Sequence, residues 1–463
     1  MRDLMVLASL IYLVPASLAN AFVAYLIWSW TSTISINYYL YGMLHDFRFN
    51  FIFGVITLYA LVFSNKDRIK FKVNTTQVLF VIFLIHVMLC AHYAYQPNPT
   101  NTLKSEQVLK SIIFCLVMPL VVYGKFRIFV LVVVLSLGLG FHGVVEGLKV
   151  IASGGSHKIE GIYTSSMADN NLLASGMAMI LPVMYFLHEQ FKHKNAKLVA
   201  LGTLLLLAVT IIGSDSRGAF VALVITGGAI LITSRNRKNL VPVMFLAVLA
   251  MGFVAGEAWK ARINTIGTAE QDDSFMGRVS AWKISSAIAI NNPIFGGGLY
   301  SAEVQNVWDQ HKNLPSFIPD TVDIPEHLLE KAHATHSIYF QSMGDLGFVG
   351  FFIFIGILVN AFLSVQKARS LVKRLRGDEL KEHLWLLDLS TAILALLVAY
   401  TVAGMTLNLT YLEPYYEFVM LAEVLKQEAL KIHNKRISPS SQERQMPVEA
   451  SVSSTEVSAR TAG

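Results

Sequence analysis

Charge is scarce in this chain: Asp, Glu, Lys and Arg make up 15% of 463 residues, against 54% hydrophobic. A soluble protein of this size is excluded by that balance, which belongs to a chain that crosses a membrane repeatedly. Cysteine is nearly absent, and both copies, Cys90 and Cys115, lie inside apolar runs. No disulfide framework follows, and the two thiols read as small buried apolar groups. CxxC, HExxH, Walker and dinucleotide-binding patterns are all missing, so the expectation is no metal and no cofactor. Nor is there a nucleic-acid motif, and the formal net charge of +6 is read as a topology signal.

What is present is a series of apolar runs at 4–31, 49–64, 76–95, 108–123, 126–146, 171–188, 197–213, 218–234, 239–256, 337–363, 384–404 and 411–427. They predict an all-α polytopic membrane protein with about 12 transmembrane helices. Lys and Arg fall in alternate connections: Lys66, Arg68, Lys70 and Lys72; Lys125 and Arg127; Lys192, Lys194 and Lys197; Arg235, Arg237 and Lys238; Lys367, Arg369, Lys373, Arg374 and Arg376. By the positive-inside rule these are cytoplasmic, and strict alternation then puts both termini in the cytoplasm. The start, MRDLMVLASLIYLVPASLANA, resembles a secretory signal peptide, but FVAYLIWSW continues the apolar run to Trp28 and Trp30. The expectation is that this segment is retained as the first span.

These features divide the chain into N-terminal transmembrane helices over 1–165, central helices over 166–256, a large extracytoplasmic loop over 257–336, C-terminal helices over 337–430 and a polar, Ser-rich tail over 431–463. The tail is expected to be disordered. A loop as long as 257–336 is a place to look for function. Within it, DDSFMGRVSAWKISSAIAINNP predicts a helix capped by Ser274 and stopped at Asn291-Asn292-Pro293, with Arg278 in its first turn, one turn from Trp282. A guanidinium there suits phosphate.

Arg217 lies in the tight connection SDSRG on the same side. A charge at the apolar boundary points to function unless it snorkels or pairs with Asp215. In HATHSIYFQSMGDLGFVG, Thr335 is expected to cap a helix starting at His336. A neutral imidazole in that first turn is placed to act as general base, the alternative being a histidine that merely satisfies a helix end. His333 reads as solvent-facing or a loop contact, and Gly344, Gly347 and Gly350 as close helix packing.

Arg217 in SRGAF, GRVSAW followed by NNPIFGGGLY, and HATHSIYFQSMGDLGFVG together resemble the O-antigen ligase and polymerase superfamily of bacterial membrane glycosyltransferases. The N-terminal third, with INYYLYGMLHDFRFN, more closely resembles the branch of putative O-glycosylation ligases from exosortase-associated gene clusters. The resemblance implies a metal-independent enzyme of the inner membrane, active on its periplasmic face. Its donor would be a glycan on undecaprenyl diphosphate and its acceptor a hydroxyl of a glycolipid, such as the lipid A core, or of a protein. Arg217 and Arg278 would hold the diphosphate, His336 would deprotonate the acceptor, and Asn171 would contact sugar or phosphate. Ser337 and Asp345 stand where relatives commonly have Asn and Glu. A glycan polymerase is the nearest alternative. A transporter of lipid-linked glycan is less favoured, since no internal repeat is visible.

Overall fold

The computed structural model describes residues 2–64, 72–162, 165, 167–233, 242, 245, 273–319 and 321–437. All regular elements among them are helical. The chain begins with α1 (Arg2–Ala19), α2 (Ala21–Ile34), α3 (Phe49–Phe63), α4 (Thr75–His92), α5 (Pro99–Val121) and α6 (Gly124–Ala152). It continues with α7 (Asn170–Gln190), α8 (Lys194–Gly213) and α9 (Arg217–Thr233). The loop helices α10 (Asp273–Asn291), α11 (Gln305–His311) and α12 (Glu326–Leu329) precede α13 (Ile338–Lys373), α14 (Gly377–Ala403) and α15 (Glu413–Ile437). Seven of these, α1, α4, α6, α7, α8, α13 and α14, are long and apolar enough to cross a membrane. Three more, α2, α3 and α9, are apolar but shorter. The run expected at 239–256 and the loop start at 257–272 lie outside the described residues, apart from 242 and 245.

The expected first span over 4–31 is two helices. Asn20 interrupts the apolar run, and its side chain accepts from Phe22 N (2.9 Å) and Val23 N (3.4 Å), capping α2. With 14 residues, α2 is about 21 Å long, short of the roughly 30 Å hydrocarbon core. The break forms an antiparallel hairpin. Arg2 at its start donates to Tyr39 O (3.3 Å), and Asp3 accepts from Leu44 N (3.2 Å). At the other end, Leu18 O accepts from Ser64 Oγ (2.6 Å), just before the basic segment beginning at Lys66. Arg2 therefore lies on the face opposite the basic connections. Arg436, near the end of α15, meets Arg374 O (3.2 Å) on the basic face. The expectation that both ends share that face is corrected at α1, because one long span was assumed where the chain turns back.

At 36 residues, α13 exceeds one membrane crossing, and it breaks at Gly347 (φ 67°, ψ −176°), a backbone region essentially reserved for glycine. The groups freed by the break find partners elsewhere. Leu346 O accepts from His86 Nε2 (2.9 Å), and Phe348 N donates to Pro293 O (2.8 Å). The turn 293–298 packs onto this break: Gly297 N and Gly298 N donate to Gly344 O and Asp345 O (2.9 and 3.1 Å). A Cβ on Gly344 would stand 2.9 Å from Ser285 Cβ, and one on Gly347 2.7 Å from Pro293 O. The glycines do serve close packing, as expected, and Gly347 also separates a short leading segment, 338–346, from the membrane-length remainder. Gly347→Ala combines a forbidden backbone region with a clash against a carbonyl. A loss of about 1–3 kcal/mol or more is expected, read as a lower thermal midpoint of the purified protein; an unchanged midpoint would disprove this account of the kink.

The described part of the loop is folded. Helix α10 is described from Asp273, so Ser274 lies inside the helix instead of capping it, and Arg278 lies beyond its first turn. It ends at Asn291, as Asn292 and Pro293 require. Trp308 Nε1 donates to Leu329 O (2.7 Å) and Phe317 N to Ser286 Oγ (3.1 Å), tying the irregular stretches back to α10 and α11.

Candidate functional site

His336 is held in place by its neighbours. Trp282, on α10, donates from Nε1 to Thr335 O (2.8 Å) and stacks on Phe340 with ring centroids 5.2 Å apart. Thr335 Oγ1 lies 3.3 Å from Ser285 Oγ, and Ile338 N donates to Gly404 O (2.7 Å). The hydroxyl of Thr410 donates to Ile338 O (3.2 Å). Between these anchors His336 adopts φ 45°, a left-handed conformation costly for a residue with a Cβ. Thr335 does not cap a helix: the cap position is Ser337, the helix starts at Ile338, and His336 lies outside its first turn. The expected dipole effect is therefore displaced by two residues.

The imidazole is nonetheless kept neutral. Burial, then the nearby Arg278 guanidinium, pushes its pKa down to about 4, against a smaller opposing pull from Asp169. At pH 7 the ring is unprotonated, as expected, although desolvation and an arginine are the causes. His333 packs edge-on against Trp308 at 5.7 Å, a loop contact.

The Arg217 connection reaches this face through two ties. Asn170 Nδ2 donates to Ser214 O (2.8 Å), joining the start of α7 to the turn before Arg217. The Ser216 hydroxyl accepts from Ala219 N (3.3 Å), and a Cβ on Gly218 would collide with Thr406 Oγ1. Thr406 is two residues beyond Gly404, the partner of Ile338. Arg217, as the first residue of α9, thus stands on the same end of the bundle as His336 and Arg278. Asn171 lies in the first turn of α7, its amide donating to Asn170 Oδ1 (3.2 Å).

The O-antigen ligase family model matches residues 202–355. Arg217, Arg278 and His336 all fall inside that stretch, on one face. The chain carries a domain of the O-antigen ligase superfamily. This O-antigen ligase domain runs from within α8 to within α13, and it supports a membrane glycan ligase or polymerase superfamily. A family of unknown function (DUF5935) matches residues 1–192, which include Asn171. No curated protein matches the chain.

Two residues beside the O-antigen ligase motifs, Asp169 and Tyr300, were not singled out by the sequence, and Asp345 was noted there only as a departure from its relatives. Asp169 caps α7, accepting from Asn171 N (2.7 Å) and Leu172 N (2.9 Å), and remains exposed toward His336. An Asp just before an apolar run is a capping signal that could have found it. Tyr300 sits at φ 59° with nothing in the sequence to announce it. Asp345 links two segments: Oδ1 accepts from Ser301 N (3.2 Å) and Oδ2 from Tyr411 OH (3.1 Å). Of the four described non-glycine residues with positive φ, three (Asp215, Tyr300 and His336) lie in the segments that build this face. Strain concentrated in that way marks a site whose geometry the surrounding fold imposes. Among the described residues no group of three or more His, Cys, Asp or Glu side chains is placed to hold a metal ion.

Proposed function

We propose that this protein transfers a glycan from undecaprenyl diphosphate to an acceptor hydroxyl at the periplasmic face of the inner membrane. The observation that carries this reading is the neutral His336 beside Arg278, inside the O-antigen ligase domain, with Arg217 on the same face. Arg217 and Arg278 bind the diphosphate. The acceptor oxygen attacks the anomeric carbon, its proton passes to the free ring nitrogen of His336, and the sugar–phosphate bond breaks with the electron pair leaving on the diphosphate. The arginines stabilise that growing charge in surroundings where water is scarce. Asn171 contacts the donor's sugar or phosphate from the start of α7.

A base with a pKa of about 4 is weak on its own. Binding of a diphosphate at Arg278 offsets the positive charge that helps to depress it, so the imidazole becomes more basic when the donor arrives. Proton abstraction is thereby tied to donor occupancy. The basic connections face the cytoplasm and the site faces outward. The aromatic-rich N-terminal third favours the exosortase-associated O-glycosylation branch.

Comparison of a deletion strain with its parent tests the function, with surface glycans run on a gel that separates lipopolysaccharide from glycoprotein. Loss of glycan from either one, with lipid-linked glycan accumulating, supports a ligase. Collapse of long chains to single repeats, with attachment intact, would make it a polymerase. No change in any glycan would remove the reading altogether.

A further inference from the structure

A groove of about 520 Å³ opens between the α1–α2 hairpin and α6, lined by residues that include Arg2, Met5, Ile34, Tyr39, Phe141 and Val145. Two of them, Met5 and Phe141, are exposed, so the groove is reached from outside. The Tyr39 hydroxyl bonds to His142 Nδ1 (2.7 Å), and the other lining side chains apart from Arg2 are apolar. That leaves the Arg2 guanidinium as the charged group at the rim. It is held in place: Nη1 donates to Tyr39 O (3.3 Å), and Cζ lies 5.3 Å from the centre of the Tyr41 ring. With five N–H donors and an exposed side chain, it can take an anion as well. The neighbouring acid, Asp3, is directed to the loop, where it accepts from Leu44 N (3.2 Å) beside Gly42.

The depth of the groove follows from α6. Lys125, at the start of that helix, marks the cytoplasmic boundary. Phe141 and Val145 stand about 24 and 30 Å further along the axis at 1.5 Å per residue, so the groove lies at the outer edge of a hydrocarbon core roughly 30 Å thick. One residue beyond Val145, the Glu146 carboxylate pairs with Lys149 and His157, each at 2.7 Å. Those charges belong outside hydrocarbon. Tyr39, bonded to His142 on this same stretch of α6, brings Arg2 to the level of the lipid phosphates.

We propose that this groove holds one phospholipid of the outer leaflet, with its phosphodiester at Arg2 and an acyl chain between the hairpin and α6. The site lies wholly within residues 1–192, the stretch that matches a family of unknown function, and it does not depend on the transferase reading. Apolar walls with a single cation at phosphate depth are complementary to a lipid that carries one phosphodiester charge. A polyprenyl diphosphate fits less well, because its paired phosphates would meet one guanidinium here, whereas Arg217 and Arg278 stand on other segments. The occupant also braces the hairpin: it covers Met5 and Phe141 and packs beside α2, which is too short to cross the core alone. Headgroup and chain are both held, so this lipid leaves more slowly than those coating the exposed side chains of α1, such as Leu4, Ile11 and Tyr12.

The test uses the full-length protein, purified in detergent, stripped of loosely held lipid and measured by native mass spectrometry during titration with phosphatidylethanolamine or phosphatidylglycerol. One phospholipid per chain should remain or rebind, and its binding should raise the thermal midpoint, since the unfolded chain has no groove. Arg2→Gln should weaken binding about tenfold or more, the size of a lost hydrogen bond to a charged group. Val145→Trp fills the groove while leaving Arg2 in place, and should abolish binding. Arg436→Gln, which removes a cation from the opposite face, should change nothing. Equal retention by the wild type, Arg2→Gln and Val145→Trp would mean annular lipid only and would overturn the proposal. Displacement of the phospholipid by undecaprenyl phosphate at equal concentration would overturn it too, by making the groove a polyprenyl site, and so would failure of both phospholipids to bind. The two substitutions act on opposite ends of the lipid, so misfolding of one variant leaves the other informative.

Discussion

Replacing His336 is expected to cut glycan transfer by about 10²–10⁴-fold, the usual contribution of a positioned general base. The choice of substitution separates chemistry from folding. At φ 45° an alanine keeps the strain of the left-handed backbone, whereas glycine relieves it. His336→Gly should therefore gain about 1 kcal/mol of stability while losing transfer. A thermal midpoint that holds or rises alongside lost activity in reconstituted vesicles would exclude misfolding as the cause. Transfer at the wild-type rate by the glycine variant would sink the general-base assignment. The wild-type pH profile carries a second signature. With burial and Arg278 holding the imidazole down to about 4, kcat/KM for the donor at saturating acceptor should stay level from neutral pH until the medium approaches that value. An unperturbed histidine would lose the base form near pH 6.5.

Much of the helical arrangement was legible in the sequence because apolar length is a coarse signal that survives tertiary detail. The order of the helices, the helix over 273–291 and its stop at Asn291-Asn292-Pro293, and the packing role of the 344–350 glycines follow from residue type alone. What failed depended on single residues whose effect is set by partners elsewhere. Asn20 looks like one polar interruption of an apolar run, and only its capping of Phe22 and Val23 shows that the chain reverses there. The break at Gly347 is stabilised by His86 and Pro293, distant in sequence, so no local pattern announces it. Thr335 has the right chemistry for a cap, but Trp282 and Ser285 take its polar groups and move the helix start to Ile338. The tie from Asn170 to Ser214 was equally hidden, although the neighbouring Asn171 was singled out.

Arg278 offers the sharper test, because its two proposed effects act on different axes of one experiment. Arg278→Ala removes a guanidinium from the diphosphate and should lower kcat by about 10²–10³-fold, the scale of losing one preorganised donor to a transition-state anion. The same substitution removes the second-largest cause of His336's depressed pKa. The lower limb of the kcat/KM profile should then move upward from about 4, yet remain below 6.5, because burial, the larger cause, is untouched. The variant would thus be slower at every pH while its base titrates at higher pH. Arg278→Lys keeps the charge and should leave the limb nearly where it is, but an ammonium cannot grip two phosphate oxygens with a planar fork, so a rate loss of about tenfold is expected. A stationary limb in Arg278→Ala would show that the guanidinium does not act on His336. If the limb moves while kcat stays within twofold of wild type, Arg278 tunes the base and Arg217 is left as the sole arginine proposed to bind the diphosphate.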